Sequence, residues 1–223
     1  MAILTIDDVT ANVGEVAARF IDDRSKRFLR RSLERADFAE LGEAGMVRLG
    51  LPASRGGLWQ GLERSVRGYC NVFRVLGGAD PSVALVSTMH PGVLGFWLVP
   101  QAGDDVVGRQ FRSQCDEVFD SVAAGHWFGT IASEPGSSGD LMATKAVAVE
   151  HGDHWMFSGH KHMGSGSGVT SFMITVARPE REAEADLFLL DVRDRAWDGS
   201  EGIKLLAEWD GYGMAATNSH AFL

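Results

Sequence analysis

Apolar side chains recur with two different periods along this chain. In residues 62–76, Leu62, Val66, Tyr69, Phe73 and Leu76 follow one another at spacings of four, three, four and three. That is one face of a helix. Val13, Val16, Ala17, Phe20 and Ile21 mark a second helix over 12–21. Phe38, Leu41 and Ala44 mark a shorter one, which Gly45 closes. Asp80-Pro81 is a start signal, an N-cap acceptor followed by proline at the first helical position. The helix it opens is apolar almost all round and is expected in the middle of a bundle. Pro91-Gly92 is expected to bend or break it. A further helix is expected over about 103–119.

Near Gly125 the pattern changes. Gly and Ser become common, and short apolar runs replace the helical stripes. Strands are expected at Trp127–Ala132, Ala146–Glu150, His154–Ser158, Phe172–Ala177, Leu187–Val192 and from about Ser219. His151-Gly152-Asp153 reads as a hairpin turn, and Ser158-Gly159 as another. The expected architecture is α+β. An all-helical domain over 1–122 precedes an antiparallel β-barrel or sandwich over 123–223, with its last strand incomplete.

The 223 residues hold 45% hydrophobic and 23% charged side chains, the proportions of a globular protein and not of a disordered one. The formal net charge of −9 argues against nucleic acid as a partner. It leaves room for a phosphate-bearing cofactor, which backbone N–H groups can bind locally. The basic run Arg24, Lys26, Arg27, Arg30, Arg31 and Arg35 reads as a solvated face, as does the acidic stretch 180–210. Cys70 and Cys115 stand in no metal-binding or redox spacing and read as free thiols. The longest apolar stretch, Val83 to Val99, is interrupted by polar residues and reads as a buried helix, not a membrane span. No secretory signal is recognised, so a cytoplasmic location is expected. His151, His154, His160 and His162 read as strand histidines facing solvent, and no metal site is expected.

No G-x-G-x-x-G, H-E-x-x-H or G-x-S-x-G motif occurs. Two other segments carry chemistry. Ser133-Glu134-Pro135-Gly136-Ser137-Ser138-Gly139-Asp140 puts small residues and hydroxyls in a tight loop after a strand. Such a loop can bring backbone N–H groups close to a planar or anionic ligand. Ser158-Gly159-His160-Lys161-His162-Met163-Gly164-Ser165-Gly166 follows. Together they resemble the flavin-binding loops of the acyl-CoA dehydrogenase family, which read like T-E-P-G-A-G-S-D and N-G-x-K-x-W-I-T-N. The resemblance extends, in the family's order, to Phe38–Gly57, to Ala79–His90 and to Trp209–His220.

The resemblance implies a flavin-dependent oxidoreductase that binds FAD, or alternatively FMN. It would oxidise an acyl thioester such as an acyl-CoA across Cα–Cβ, with hydride transfer to the flavin. Ala132 and Ser133 would meet the polar edge of the ring. Ser165, in place of the family's Thr, would lie near the reactive ring nitrogen. Met163, where the family has Trp, would pack on a ring face. Ser138 and Gly139 would lie by the pyrophosphate, in inverted order. Gly166 replaces the usual Asn or Ser. Glu134 is structural in this loop.

The family's catalytic Glu lies in a second helical bundle with no counterpart here, so the base is expected beyond Leu223. The present residues are then expected to expose an apolar surface and to bind FAD weakly. A homodimer or homotetramer and an electron-acceptor protein are the implied partners. Two rival readings remain. One is a monooxygenase on the same fold, using externally reduced flavin and oxygen. The other is a non-catalytic fragment or subunit that binds no flavin.

Overall fold

A computed structural model describes residues 4–99, 104–136 and 139–223. Six α-helices come first: α1 (Ile6–Asp22), α2 (Arg24–Leu29), α3 (Arg35–Glu43), α4 (Leu62–Ala79), α5 (Pro81–Leu94) and α6 (Val106–Ala123). Eight strands follow: β1 (Phe128–Thr130), β2 (Val147–His151), β3 (His154–Ser158), β4 (Lys161–Gly164), β5 (Phe172–Pro179), β6 (Asp186–Asp191), β7 (Leu205–Ala207) and β8 (His220–Phe222). The chain divides into two compact units. One is Met1–Arg30 with Glu34–Phe128, and the other is Arg31–Leu33 with Gly129–Leu223.

In the helical unit, α1 opens on a capping box. Thr5 accepts from the Asp8 N–H, and the Asp8 carboxylate accepts from the Thr5 N–H. Its apolar stripe, Val9, Val13, Val16, Ala17 and Phe20, is buried, and α1 packs against α4. Gly45 ends the α3 segment in the left-handed region at φ 96°, where a Cβ would be strained.

Asp80 caps α5 as expected, accepting from the N–H groups of Ser82 and Val83 at 3.0 Å each. Pro91 does not break the helix. It lies inside α5, which runs on to Leu94 before a 3₁₀ turn at Gly95–Trp97. The proline removes one backbone donor, but Val83, Val86, His90, Val93 and Leu94 are buried around the helix. That burial outweighs a cost of about 3 kcal/mol.

The basic run departs from expectation. Arg27 and Arg30 are not solvated. They form a nearly buried ion-pair cluster with Asp37 and Asp80, and Arg27 lies 3.4 Å from the centroid of the Phe20 ring. The reason is position. Arg27 lies in the last turn of α2 and Arg30 caps its C-terminus, and both reach Asp37 of α3 and Asp80, the N-cap of α5.

His90 is fully buried in α5. Its Nε2 lies 2.8 Å from the Val47 carbonyl, which can only accept, and its Nδ1 accepts from the Phe128 N–H at 3.1 Å. These partners fix a neutral ring. Burial depresses its pKa to about 4, the bond to Val47 opposing only in part. The unfolded imidazole takes its proton near pH 6.5. Stability should therefore be undiminished above pH 6.5 and fall between 6.5 and 4, by roughly 3 kcal/mol in all. His220, also lowered by burial, acts in the same direction. Urea unfolding from pH 7.5 down to 4 measures this, and a flat profile over that window would contradict it.

In the second unit, β5 is the shared strand. β6 pairs along Phe172–Ala177, and β1 and β2 also pair with it; Ile131, just after β1, donates to the Ile174 carbonyl, and Arg178 and Glu180 donate to those of Ala146 and Ala148. β2 and β3 form the expected hairpin, in register from Val147↔Ser158 to His151↔His154. A second sheet runs β4-β8-β7. One pair departs from the antiparallel expectation, since β2 meets β5 in parallel at Val147↔Arg178 and Ala148↔Pro179. β7 had no counterpart in the sequence pattern, and long loops separate the later strands. Ile131, Met173 and Phe222 form one apolar cluster, with Leu190, Trp197 and Leu205 packed on it. Ala146, Ala148 and Ala177 form another, against Phe157 and Phe188. No helix among the described residues is long and apolar enough to cross a membrane.

Candidate functional site

The loop after β1 and the strand β4 are joined by a buried ion pair. Glu134 and Lys161 lie 2.6 Å apart, both under one-tenth exposed. The Glu134 carboxylate also accepts from the Thr144 hydroxyl and from the N–H groups of Lys145 (2.7 Å) and Ala146 (3.1 Å). Lys161 Nζ donates further to the Val176 carbonyl at 2.5 Å and, at 3.4 Å, to that of Ala132. Burial alone would raise the pKa of Glu134. The Lys161 ammonium, the Thr144 hydroxyl and the two backbone donors outweigh it and hold the group at about 2. Glu134 is thus a fully engaged structural carboxylate with no spare basicity.

The register set by this pair places the two loops side by side. The N–H of His162 donates to the Ser133 carbonyl at 2.9 Å. Beyond it β4 bulges. Lys161 faces Phe222 and Gly164 faces His220, so β4 spends one more residue than β8. Met163 sits in that bulge at φ 58°, unusual for a residue with a side chain, and is 47% exposed. Bulges of this kind re-aim side chains.

Ser165 follows, half-buried, with its N–H on the Met163 carbonyl at 2.8 Å. Gly166 comes next at φ 86°, its N–H on the Thr217 carbonyl at 2.8 Å. The left-handed backbone there explains a glycine where the resembling loop carries Asn or Ser.

Of the expected site residues, Ala132, Ser133, Met163 and Ser165 thus lie on two segments bonded to one another. Gly139 stands in an exposed turn at φ 82°, close in sequence to Gly136 at φ 78°. Ser138 lies outside the described residues.

The sequence reading missed a group of hydroxyls behind Ser165. Its Oγ is 2.7 Å from Ser219 Oγ, which is 2.7 Å from Thr217 Oγ1. Thr217 Oγ1 donates to the Met214 carbonyl at 2.9 Å. Asn218, at φ 51°, donates from Nδ2 to the Ser167 carbonyl and accepts from the Leu33 N–H. The available signal was the polar set Thr217, Asn218 and Ser219 directly before an apolar strand. Of the four histidines of the region, His162 joins the two loops through its backbone N–H. His151, His154 and His160 are exposed and His162 is half-buried.

No protein-family profile and no curated protein matches this sequence. Solved structures match its fold. FMN-bound TdsC from Paenibacillus sp. A11-2, a dibenzothiophene monooxygenase, aligns with a TM-score of 0.73 at 19% identity, over 96% of this chain and 50% of that one. The HsaA monooxygenase from M. tuberculosis aligns at 0.70 and 16% identity, over 99% and 52%. An acyl-CoA dehydrogenase from Geobacillus kaustophilus aligns at 0.73 and 14% identity, over 96% and 53%. The chain has the acyl-CoA dehydrogenase-like fold that these enzymes share. It spans about half the length of the solved structures it matches.

Proposed function

We propose that this chain is the flavin-binding part of a flavin-dependent oxidoreductase. The observation that carries this reading is the bond from His162 to Ser133, held in register by Lys161 and Glu134. It fixes together the two segments that resemble flavin-binding loops. The residues present suit such a ligand. Ser133 and Ser165 would offer hydroxyls to a polar ring edge, the exposed Met163 thioether an apolar contact, and the left-handed Gly136 and Gly139 backbone N–H groups to phosphate.

When bound, the flavin supplies the electron chemistry, and the chain binds and orients it. Ala132 and Ser133 would meet the polar edge of the ring, Ser165 would face its reactive nitrogen, N5, and Met163 would lie against a face. If the flavin is FAD, Gly139 would lie by its pyrophosphate, and Ser138 is carried over from the resembling loop alone. FMN, with a single phosphate, is the alternative.

Of the two chemistries on this fold, monooxygenation with externally reduced flavin is favoured. It consumes one O2 and one reduced flavin per substrate, and yields oxygenated substrate, water and oxidised flavin. Its support is the second loop, where Met163 in a bulge and Gly166 replace the Trp and Asn of the dehydrogenase pattern. TdsC and HsaA, both monooxygenases, are in line with it. The other reading, oxidation of an acyl-CoA across Cα–Cβ, needs a base. Glu134 does not serve, being held at low pKa by Lys161. In that reading the base comes from outside this chain, and an electron-acceptor protein is required. A homodimer or homotetramer belongs to both.

The test is to add FAD and FMN, oxidised and reduced, to the purified protein. Anaerobic bleaching of bound flavin by an acyl-CoA would identify the dehydrogenase. Oxygen uptake matched one-to-one by oxygenated product would identify the monooxygenase. Binding of neither flavin in either redox state would overturn the flavin reading.

A further inference from the structure

The hydroxyls behind Ser165 form a chain whose direction is set by the carbonyl at its end. A hydroxyl has a single hydrogen, and a carbonyl oxygen only accepts. The hydrogen of Thr217 goes to the Met214 carbonyl. Ser219 must then donate to Thr217. With its own hydrogen committed, Ser219 accepts from Ser165. Thr217 and Ser219 are 0% and 6% exposed, so the chain is shielded from solvent. Ser165, half-buried, therefore directs its hydrogen inward and presents lone pairs outward. The Met214 carbonyl that anchors the chain is itself held by Trp209 Nε1 at 3.0 Å and by the Thr217 N–H at 3.1 Å.

We infer that Thr217 and Ser219 fix Ser165 as a hydrogen-bond acceptor toward the flavin, and thereby bias the site toward the reduced form. This rests on the flavin reading above, in which Ser165 faces N5 of the ring. In oxidised flavin that nitrogen carries a lone pair and no hydrogen, so two acceptors would confront one another. In reduced flavin it carries an N–H, which Ser165 can receive. Thr217 and Ser219 touch no ligand in this scheme. They are positioning residues that act through the orientation of one hydroxyl.

Dissociation constants for oxidised and reduced FMN and FAD, the latter measured anaerobically on the purified protein, test this. The wild type should bind the reduced form more tightly. In Thr217→Val the Ser219 hydrogen is free to turn toward Ser165, whose own hydrogen can then turn outward. The preference should shrink about tenfold, the scale of one mismatched buried hydrogen bond. Thr217→Ser keeps the hydroxyl and should keep the preference. Ser219→Ala also frees Ser165 and should lose it, which covers the case in which the valine variant does not fold.

The same tenfold change should appear as a fall of about 30 mV in the two-electron potential of the bound flavin. A loosening of the loop alone would weaken both redox forms equally and leave the potential in place. Wild-type ratios in both Thr217→Val and Ser219→Ala, or equal losses for the two forms, would overturn the inference while leaving flavin binding intact. Failure of the wild type to bind either form would remove the flavin reading and this inference with it.

Discussion

Lys161→Met should lower the stability of the protein by about 3–5 kcal/mol, the usual loss when one member of a buried ion pair is removed. The methionine nearly matches the lysine stem in shape, so little of the loss is packing. What remains is a buried Glu134 carboxylate without its cation, and a Val176 carbonyl without its ammonium donor. Thr144, Lys145 and Ala146 still donate to the carboxylate, which keeps the loss finite. For a chain of this size the melting temperature should fall by on the order of 10 °C. Adding Glu134→Gln should restore part of the loss, because the stranded charge is gone. Urea unfolding of the single and double variants measures both. A loss under about 1 kcal/mol for Lys161→Met would mean that the pair is not what holds the loops in register. Flavin affinity should fall with stability, since His162, next to Lys161, carries the bond to Ser133.

The helices were legible because their stripes are long and regular. Leu62 to Leu76 repeats through four turns, and Asp80-Pro81 marks a boundary by local chemistry that needs no tertiary partner. Local rules failed where packing decides. Pro91 stays helical because α5 is buried, and Arg27 and Arg30 are buried because Asp37 and Asp80 arrive from other helices. The strands of the second unit were legible where alternation or a hairpin turn is present, as in β2 and β3. β7, three residues long between loops, carries too few positions to show a period.

At the site, the two loops could be recognised from their order of small residues, Lys and Ser. The hydroxyls of Thr217 and Ser219 could not be tied to Ser165 in the same way. Their meeting depends on β8 lying against β4 across a bulge, a register that no run of residues near either strand specifies. The direction of the hydrogens follows only from the complete chain ending on the Met214 carbonyl.

Asp80→Ala should be at least as damaging as Lys161→Met, because this carboxylate does two things at once. Its Oδ1 accepts from the N–H groups of Ser82 and Val83 and so caps α5. Its Oδ2 accepts from Arg27 Nε and Arg30 Nη2, each at 2.9 Å. Asp37 completes the cluster, taking Arg27 Nη1 and Nη2 at 3.0 and 2.8 Å and Arg30 Nη1 at 2.9 Å. Alanine removes the cap, worth about 1 kcal/mol, and leaves two nearly buried guanidinium groups with Asp37 and, for Arg30 alone, the exposed Glu34 at 3.3 Å. Such a loss runs to about 3–5 kcal/mol. Arg30 has no slack to absorb it, since its Nε is already buried without a hydrogen-bond partner.

Asp80→Asn separates the two roles. The amide oxygen can still cap α5, but the amide NH2 then meets Arg27 Nε and Arg30 Nη2, donor against donor. It should therefore keep the cap and lose at least as much as alanine on the arginine side. Urea unfolding of both variants at neutral pH, with salt varied, provides the check. Exposed pairs would be screened by added salt, whereas this cluster should keep most of its contribution at high ionic strength. A neutral Asp80→Ala variant would show that the four groups are mutually compensated without any net role in holding α2, α3 and α5 together.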